Sequence, residues 1–249
     1  LRFVTADFNN QIIFYDKDGS IKADYSSLAQ QKSKGVCRTM KFSEEKTTGN
    51  FFKNKRKRKY HYYTALMYDR VFFTRGRKCG DPFAEGLKAN KKGLNKHINE
   101  LKKLIFQPGK PVNVPIVGKK TQIFSKELTP YYNYSIRSKL YQNQRDCYVF
   151  TAEVKPEFQT KKEDKTIIKF LETYFDKETF QVVARRYQLK YFGLAFDFDV
   201  TTEIELQQHN IDGEQKYLPQ KVSYNGWWDI PGRKPEIGEF TLEVINVKS

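Results

Sequence analysis

Residues 194–206 have the sequence LAFDFDVTTEIEL, in which apolar and polar side chains alternate. The even-numbered positions carry mainly apolar side chains, beginning with Leu194, Phe196 and Phe198, whereas Asp, Thr and Glu occupy the odd-numbered positions from 197 onward. A period of two residues indicates a β-strand with one face in an apolar environment and one in water. The segment therefore predicts a sheet whose apolar face another part of the chain must cover.

The same alternation recurs through the C-terminal half of the chain. It is clear in residues 132–140, 147–154, 218–228 and 240–244, which short polar or glycine-containing segments separate. Residues 167–175 fit either one face of a helix or a strand. We favour a strand, because residues 176–179, DKET, suit a hairpin turn leading into a strand at 181–191. Together these segments predict an antiparallel meander of long strands.

The N-terminal part gives weaker signals. Residues 11–15 and 20–25 flank the turn sequence DKDG and predict a hairpin. The polar residues 26–34 suit a connection or a short helix, and the polar residues 44–50 are predicted to end the preceding strand. Further strand candidates are residues 36–43, 67–75, 112–117 and 122–125.

Residues 94–106 are the clearest helix of the sequence. Their apolar side chains recur at helical spacing, and Pro108 and Gly109 follow the last of them. We predict that this apolar stripe packs on the sheet; the alternative is a helix that lies on a membrane surface.

Composition agrees with a sheet-rich fold. Aromatic residues make up 15% of the 249 residues, and bulky rings favour strands. We predict a β-rich α+β fold: a large curved antiparallel sheet, half-barrel-like, with one or more helices packed on its concave face. The expected organisation is a single domain over residues 1–249. The alternative divides the chain into an N-terminal hairpin subdomain, 1–50, and a curved-sheet domain, 51–249.

Charge points toward anionic partners. The chain carries 45 Lys and Arg against 29 Asp and Glu, a net charge of +16, and such a field attracts nucleic acid, anionic membrane surfaces and acidic glycans. The densest basic run is a candidate polyanion-binding site, formed by Lys53, Lys55, Arg56, Lys57, Arg58 and Lys59. Tyr60, Tyr62 and Tyr63 follow it and could stack on bases. The alternative is an evenly solvated lysine-rich surface on which this run is an exposed loop.

Cysteine usage leaves the pairing open. In an oxidising compartment Cys37, Cys79 and Cys147 could form one disulfide and leave one free thiol. No hydrophobic run reaches the ~20 residues that a membrane-spanning helix needs. The sequence begins without Met, and we expect a signal or lipid anchor to have been removed.

No catalytic motif stands out. The three histidines are scattered, and neither H-E-x-x-H, G-x-S-x-G nor a P-loop occurs. Asp197 and Asp199 could form a carboxylate pair, but strict alternation around them favours the polar face of a strand. We therefore predict no enzyme, no cofactor and no metal site.

Four segments resemble bacterial lipoprotein-carrier (LolA-like) and outer-membrane lipoprotein-sorting proteins, namely residues 132–136, 146–150, 174–183 and 218–224. In that family a strand ending in Asp, a D-x-x-T turn and a following strand recur. The Tyr-, Phe- and Lys-rich composition also resembles surface or periplasmic proteins of gut Bacteroidetes. The resemblance implies a periplasmic or outer-membrane-associated protein that holds a lipid or lipoprotein acyl chain against the concave sheet face.

The predicted ligand site is the aromatic side of the C-terminal strands. Its candidate residues are Phe196, Phe198, Tyr224, Trp228, Phe240 and Leu242. The alternative is that helices and loops fill this face completely and leave a scaffold without a cavity. The oligomeric state stays open.

Overall fold

The computed structural model describes residues 3–73, 76–79, 98–113, 118–159, 165–193, 197–211, 213–229 and 232–248. They form thirteen strands and two α-helices. In chain order these are β1 (Phe3–Tyr15), β2 (Ile21–Lys34), β3 (Cys37–Gly49), β4 (Phe52–Asn54), β5 (Lys59–Tyr60), α1 (Tyr63–Val71), β6 (Gly76–Cys79), α2 (Ile98–Phe106), β7 (Tyr132–Tyr141), β8 (Arg145–Val154), β9 (Ile168–Asp176), β10 (Val182–Phe192), β11 (Asp197–Ile211), β12 (Glu214–Asp229) and β13 (Glu236–Lys248).

Eleven of these strands form one antiparallel sheet in the order β6-β3-β2-β1-β13-β12-β11-β10-β9-β8-β7, and β4 and β5 form a separate hairpin. Strands β7 to β13 follow one another as a meander, as predicted. Strand β1 then pairs with β13 along most of its length, so the N-terminal strands extend the sheet beyond the C-terminal strand. The curved antiparallel sheet with helices on its concave face is confirmed.

The alternation of residues 197–206 appears directly in burial. Phe198, Val200 and Ile204 of β11 are buried, whereas Glu203 on the other face is exposed. Residues 168–176 form a strand rather than a helix, which confirms the favoured prediction. The turn after it follows the D-x-x-T pattern, because the Asp176 carboxylate accepts hydrogen bonds from the Glu178 and Thr179 amides and the Thr179 hydroxyl.

Helix α1 replaces a predicted strand. The strand prediction for residues 67–75 is wrong over residues 67–71, which belong to α1. Thr64, Ala65, Tyr68 and Val71 are buried at the spacing of one helix face. Aromatic residues have an intrinsic preference for strands. In α1 this preference is overridden by tertiary packing, because Tyr68 packs the helix against the sheet.

Three other predictions need correction. Residues 26–34 are not a connection or helix, and residues 44–49 do not end a strand; both belong to long strands, because β2 is hydrogen-bonded between β1 and β3. The Gln30 side-chain amide on β2 donates a hydrogen bond to the Asp7 carboxylate on the neighbouring strand β1, at 2.9 Å. Residues 118–125 form a 3-10 turn (Gly118–Thr121) and turns rather than a strand. Residues 114–117, and residues 94–97 of the predicted helix, lie outside the described residues.

A disulfide closes one edge of the sheet. Cys37 on β3 lies opposite Cys79 on β6 and is bonded to it, which settles the pairing that the sequence leaves open. Cys147 is buried and free. In the described part of the chain, neither helix is long and apolar enough to cross a bilayer.

Candidate functional site

Four of the residues predicted to bind a ligand contact helix α1 or one another, namely Phe198, Tyr224, Trp228 and Phe240. Phe198, Phe240 and Leu242 are buried, and Tyr224 and Trp228 are partly buried. Phe196 lies outside the described residues. The Phe240 ring, which is 1% exposed, stacks on Tyr68 of α1 with the ring centroids 4.3 Å apart. Helix α1 therefore occupies the sheet face around Phe240.

A short polar chain lies inside this aromatic packing. The Trp228 indole N–H donates a hydrogen bond to the Tyr224 hydroxyl, and the Tyr68 ring meets the Tyr224 ring edge-on at 5.1 Å. Burial raises the pKa of both tyrosines. Both phenols are therefore neutral hydrogen-bonding groups of the packed core.

An open cleft of about 780 Å³ remains on the same face, beside the packed aromatic region. Its volume falls within the ~300–1,000 Å³ of small-molecule sites. The residues that line it come from α1, α2 and seven strands, and most of them are apolar. The apolar ones include Phe8, Met40, Val71, Phe106, Val222 and Val244. Leu242 is the one predicted ligand residue of the described set that lines the cleft.

The charged residues of the apolar cleft are all basic. Arg38, Lys102, Arg185 and Lys216 line it, and no described Asp or Glu does. Two of the four have partners: Lys216 pairs with Glu214 at 3.0 Å, and Arg185 bonds to neighbouring oxygens. Arg38 and Lys102 are left without a carboxylate among the described residues.

Lys102 has the smallest exposed fraction of these four cations. It lies on α2, its residue is only 7% exposed, and no hydrogen bond or salt bridge to a described residue satisfies its ammonium group. Burial, with a smaller contribution from the nearby positive charge of Arg38, lowers the pKa of Lys102 to about 8. Burial also lowers the pKa of Arg38.

Arg185 fixes the position of α2. Its guanidinium donates to the backbone carbonyl of Phe106, the last residue of the helix, and at 3.2 Å to the Thr173 hydroxyl on β9. A cation also suits the C-terminal end of a helix, where the carbonyl groups carry partial negative charge. Arg185 therefore joins one wall of the cleft to the sheet.

Helix α1, the second wall, is held by a carboxylate from β13. Glu236 accepts hydrogen bonds from the Tyr63 amide at 2.7 Å, the Thr64 amide at 2.9 Å and the Thr64 hydroxyl at 2.7 Å. The residue before the helix, Tyr62, supplies no side-chain cap. Glu236 thus satisfies the first amides of α1, where negative charge is favourable.

A second cleft, of about 850 Å³, lies where the turns at 142–146 and 176–179 meet β11 and β12. It is polar, and its charges largely satisfy one another. Asp146 pairs with Lys177, Asp176 lies 3.6 Å from Arg145, and Glu205 accepts a hydrogen bond from Gln142. A ligand would have to compete with these contacts, so the apolar cleft is the stronger candidate site.

The predicted polyanion-binding run forms the β4–β5 hairpin. Five of its cations are exposed and have no ion-pair partner among the described residues: Lys53, Lys55, Arg56, Lys57 and Lys59. Arg58 differs, because it forms a salt bridge with Glu45 at 2.7 Å and lies over the Phe52 ring. Tyr62 is not available for stacking on bases, since it is buried against Phe14 with the ring centroids 3.8 Å apart.

Sequence reasoning missed the basic residues of the apolar cleft, although a signal exists for each. Lys102 stands four residues after Ile98 and three before Ile105, inside the apolar stripe of the predicted helix. Arg38 shares its strand face with Met40, and Arg185 shares its own with Tyr187. In each case the sequence signal for a cleft cation is a basic residue at a position where the pattern predicts an apolar side chain.

Comparison with protein-family models found no match, and comparison with curated proteins found no significant one. Among solved structures, an outer membrane lipoprotein-sorting protein domain from Vibrio parahaemolyticus matches at 9% identity and TM-score 0.33, over 99% of this chain and 84% of that one. A DUF1329 family protein from Desulfovibrio piger matches at 10% identity and TM-score 0.29, over 97% and 84%. A LolA superfamily protein from Nitrosomonas europaea matches at 10% identity and TM-score 0.27, over 98% and 85%.

The first and the third of these structures are described as members of the group that the four sequence segments resemble. At such TM-scores the likeness carries no argument about ligand, activity or location, which must be argued from the cleft itself. The resemblance to proteins of gut Bacteroidetes stays a prediction.

Proposed function

We propose that this protein is a non-enzymatic binding protein that holds an acyl chain or a similar apolar ligand in the cleft between its two helices and the sheet. The observation that supports the proposal is the cleft itself, about 780 Å³ with mostly apolar walls. An apolar surface of this size that stays open to water is costly unless something covers it. A flexible hydrocarbon chain fits such a cleft without needing directional contacts.

The compartment proposed is the cell envelope, in the periplasm or at the outer membrane. The Cys37–Cys79 disulfide supports it, because disulfides persist in oxidising compartments and are rare in the cytosol.

Binding of a neutral acyl-chain probe, the fluorescent methyl ester of cis-parinaric acid, tests the proposal. Val247 lines the cleft and is partly buried, so Val247→Trp should fill part of the cavity and weaken binding. The matched control is Ile245→Trp on the same strand, since Ile245 is 60% exposed and does not line the cleft. Equal probe affinity in both variants would place binding elsewhere and contradict the proposal.

A second candidate function is polyanion binding by the β4–β5 hairpin. The observation that favours it is the set of five exposed cations without ion-pair partners among the described residues. Binding of a labelled single-stranded oligonucleotide should then weaken steeply as salt rises. Binding releases the counterions condensed on the oligonucleotide, and a high salt concentration opposes that release. Replacing the five by Ser while keeping Arg58, which stabilises the hairpin through Glu45, should abolish binding; retained affinity would exclude this surface.

A further inference from the structure

We propose that the ligand of the apolar cleft is a single-chain amphiphile whose head group is anionic, a carboxylate or a phosphate, and that Lys102 and Arg38 hold this head group. The inference rests on the proposed function, since it concerns the same cleft and adds the charge of its occupant.

The partly buried ammonium group of Lys102 has no partner among the described residues to offset its removal from water. An ammonium group that is taken out of water without a partner is strongly unfavourable, and buried charges in proteins are paired or hydrogen-bonded. Lys102 lines the open cleft, is only 7% exposed as a residue and has no partner among the described residues, and the lowered pKa of its ammonium group is the expected consequence of this partial removal from water. A bound anion would supply the missing partner.

A second positive charge, that of Arg38, lies near Lys102 in the same cleft. The charge of Lys102 interacts with that of Arg38, which likewise has no described carboxylate beside it. Two positive charges that face one cavity repel each other until an anion lies between them. Lys216 is paired with Glu214, and Arg185 is hydrogen-bonded to the neutral oxygens of Thr173 and Phe106. Lys102 and Arg38 are therefore the cations of the cleft whose side chains have no hydrogen-bond or ion-pair partner among the described residues.

The charge of the cleft and the apolar character of its walls together suit one class of ligand. The remaining walls are mostly apolar, so the cleft combines a cationic site with a hydrocarbon surface. A neutral lipid would cover the apolar walls but leave both cations unpaired. A small inorganic anion would pair with the cations but leave the walls exposed. An anionic amphiphile satisfies both.

The test compares cis-parinaric acid with its methyl ester, which has the same chain without the charge, at neutral pH and fixed ionic strength. Because charge-assisted hydrogen bonds are among the stronger polar contacts, we expect the acid to bind about tenfold tighter or more. In Lys102→Met the preference for the acid over the ester should fall markedly, because only Arg38 remains to pair with the carboxylate, and Lys102→Arg should restore the preference. Lys46→Met is the control for net charge, since Lys46 is exposed on β3, the strand that also carries Arg38.

Lys102→Met is not expected to impair folding, because replacing an unpaired buried charge by an apolar side chain of similar length is neutral or stabilising. If acid and ester bind equally to the unmodified protein, the anionic head group is refuted while the acyl-chain function stands. If neither binds, the proposed function fails as well. Competition by oleate and by oleoyl lysophosphatidate then distinguishes a carboxylate from a phosphate head.

Discussion

The capping of α1 by Glu236 gives a prediction whose size can be worked out. The carboxylate accepts two backbone amides and one hydroxyl at 2.7–2.9 Å, and Tyr62 offers no alternative cap. Glu236→Ala leaves the first two amides of the helix without a protein acceptor. Loss of a helix cap costs ~0.5–2 kcal/mol, and a hydrogen bond to a charged group contributes ~1.5–3 kcal/mol.

Glu236 is only partly buried, so water replaces part of what the substitution removes. We therefore expect a loss of about 2 kcal/mol for Glu236→Ala and about 1 kcal/mol for Glu236→Gln, which retains one acceptor. In a protein of this size, ~1 kcal/mol lowers Tm by ~2–4 °C, so the Ala variant should melt ~4–8 °C lower.

The measurement is thermal and urea unfolding followed by circular dichroism. Glu243→Ala is the matched control, because Glu243 lies on the same strand, is exposed and has no hydrogen bond or ion pair among the described residues. A Tm for Glu236→Ala equal to that of the control would refute the capping argument. Because Val71 of the same helix lines the cleft, the Ala variant should also bind the acyl-chain probe more weakly.

Three further predictions concern the sheet. Replacing Cys37 and Cys79 by Ser should cost about 4 kcal/mol of unfolding free energy, because the bridge closes a loop of 42 residues; unchanged urea unfolding would contradict this. Gly226→Ala should lose about 1–3 kcal/mol, since the added methyl group would lie 2.6 Å from a carbonyl oxygen of β11, and urea unfolding again measures it. The Thr179 amide donates to the Asp176 carboxylate and holds its pKa below its usual range. The ionised carboxylate therefore stabilises the folded state above the unfolded pKa of ~3.9, and this stabilisation is lost as pH falls through the lower folded pKa. The stability difference between the unmodified protein and Asp176→Asn should therefore shrink between about pH 5 and pH 2 in urea titrations, and a constant difference would refute it.

The sheet could be predicted from sequence where burial is one-sided. Residues 197–206 alternate because the helices cover one face of β11 and water reaches the other. The prediction failed at residues 26–34, because an interior strand takes its hydrogen bonds from both neighbours and tolerates polar side chains such as Gln30. It failed at α1 because nothing local indicates that Tyr68 would stack on a ring 172 residues later in the sequence, at position 240.

The candidate site was harder to predict than the fold. The aromatic residues proposed for it are the ones that pack best, so α1 covers Phe240, and the cleft opens where smaller aliphatic side chains leave space. The shape of that space depends on how two helices sit on the sheet, which no single segment encodes. The sequence does contain one local sign of the cleft, namely basic residues at positions where the pattern predicts an apolar side chain; Lys102 is the clearest example.

The pairing of β1 with β13 has a consequence for biosynthesis. Strand β1 leaves the ribosome more than 200 residues before its partner β13, since Thr5 pairs with Lys248 and Ile12 with Phe240. Until the last strand emerges, one edge of β1 has unpaired backbone groups and the apolar side chains of Phe8, Ile12 and Phe14 beside it. Such an edge is a template for pairing with other chains. Nascent copies should therefore aggregate less when a chaperone shields β1 until β13 has emerged.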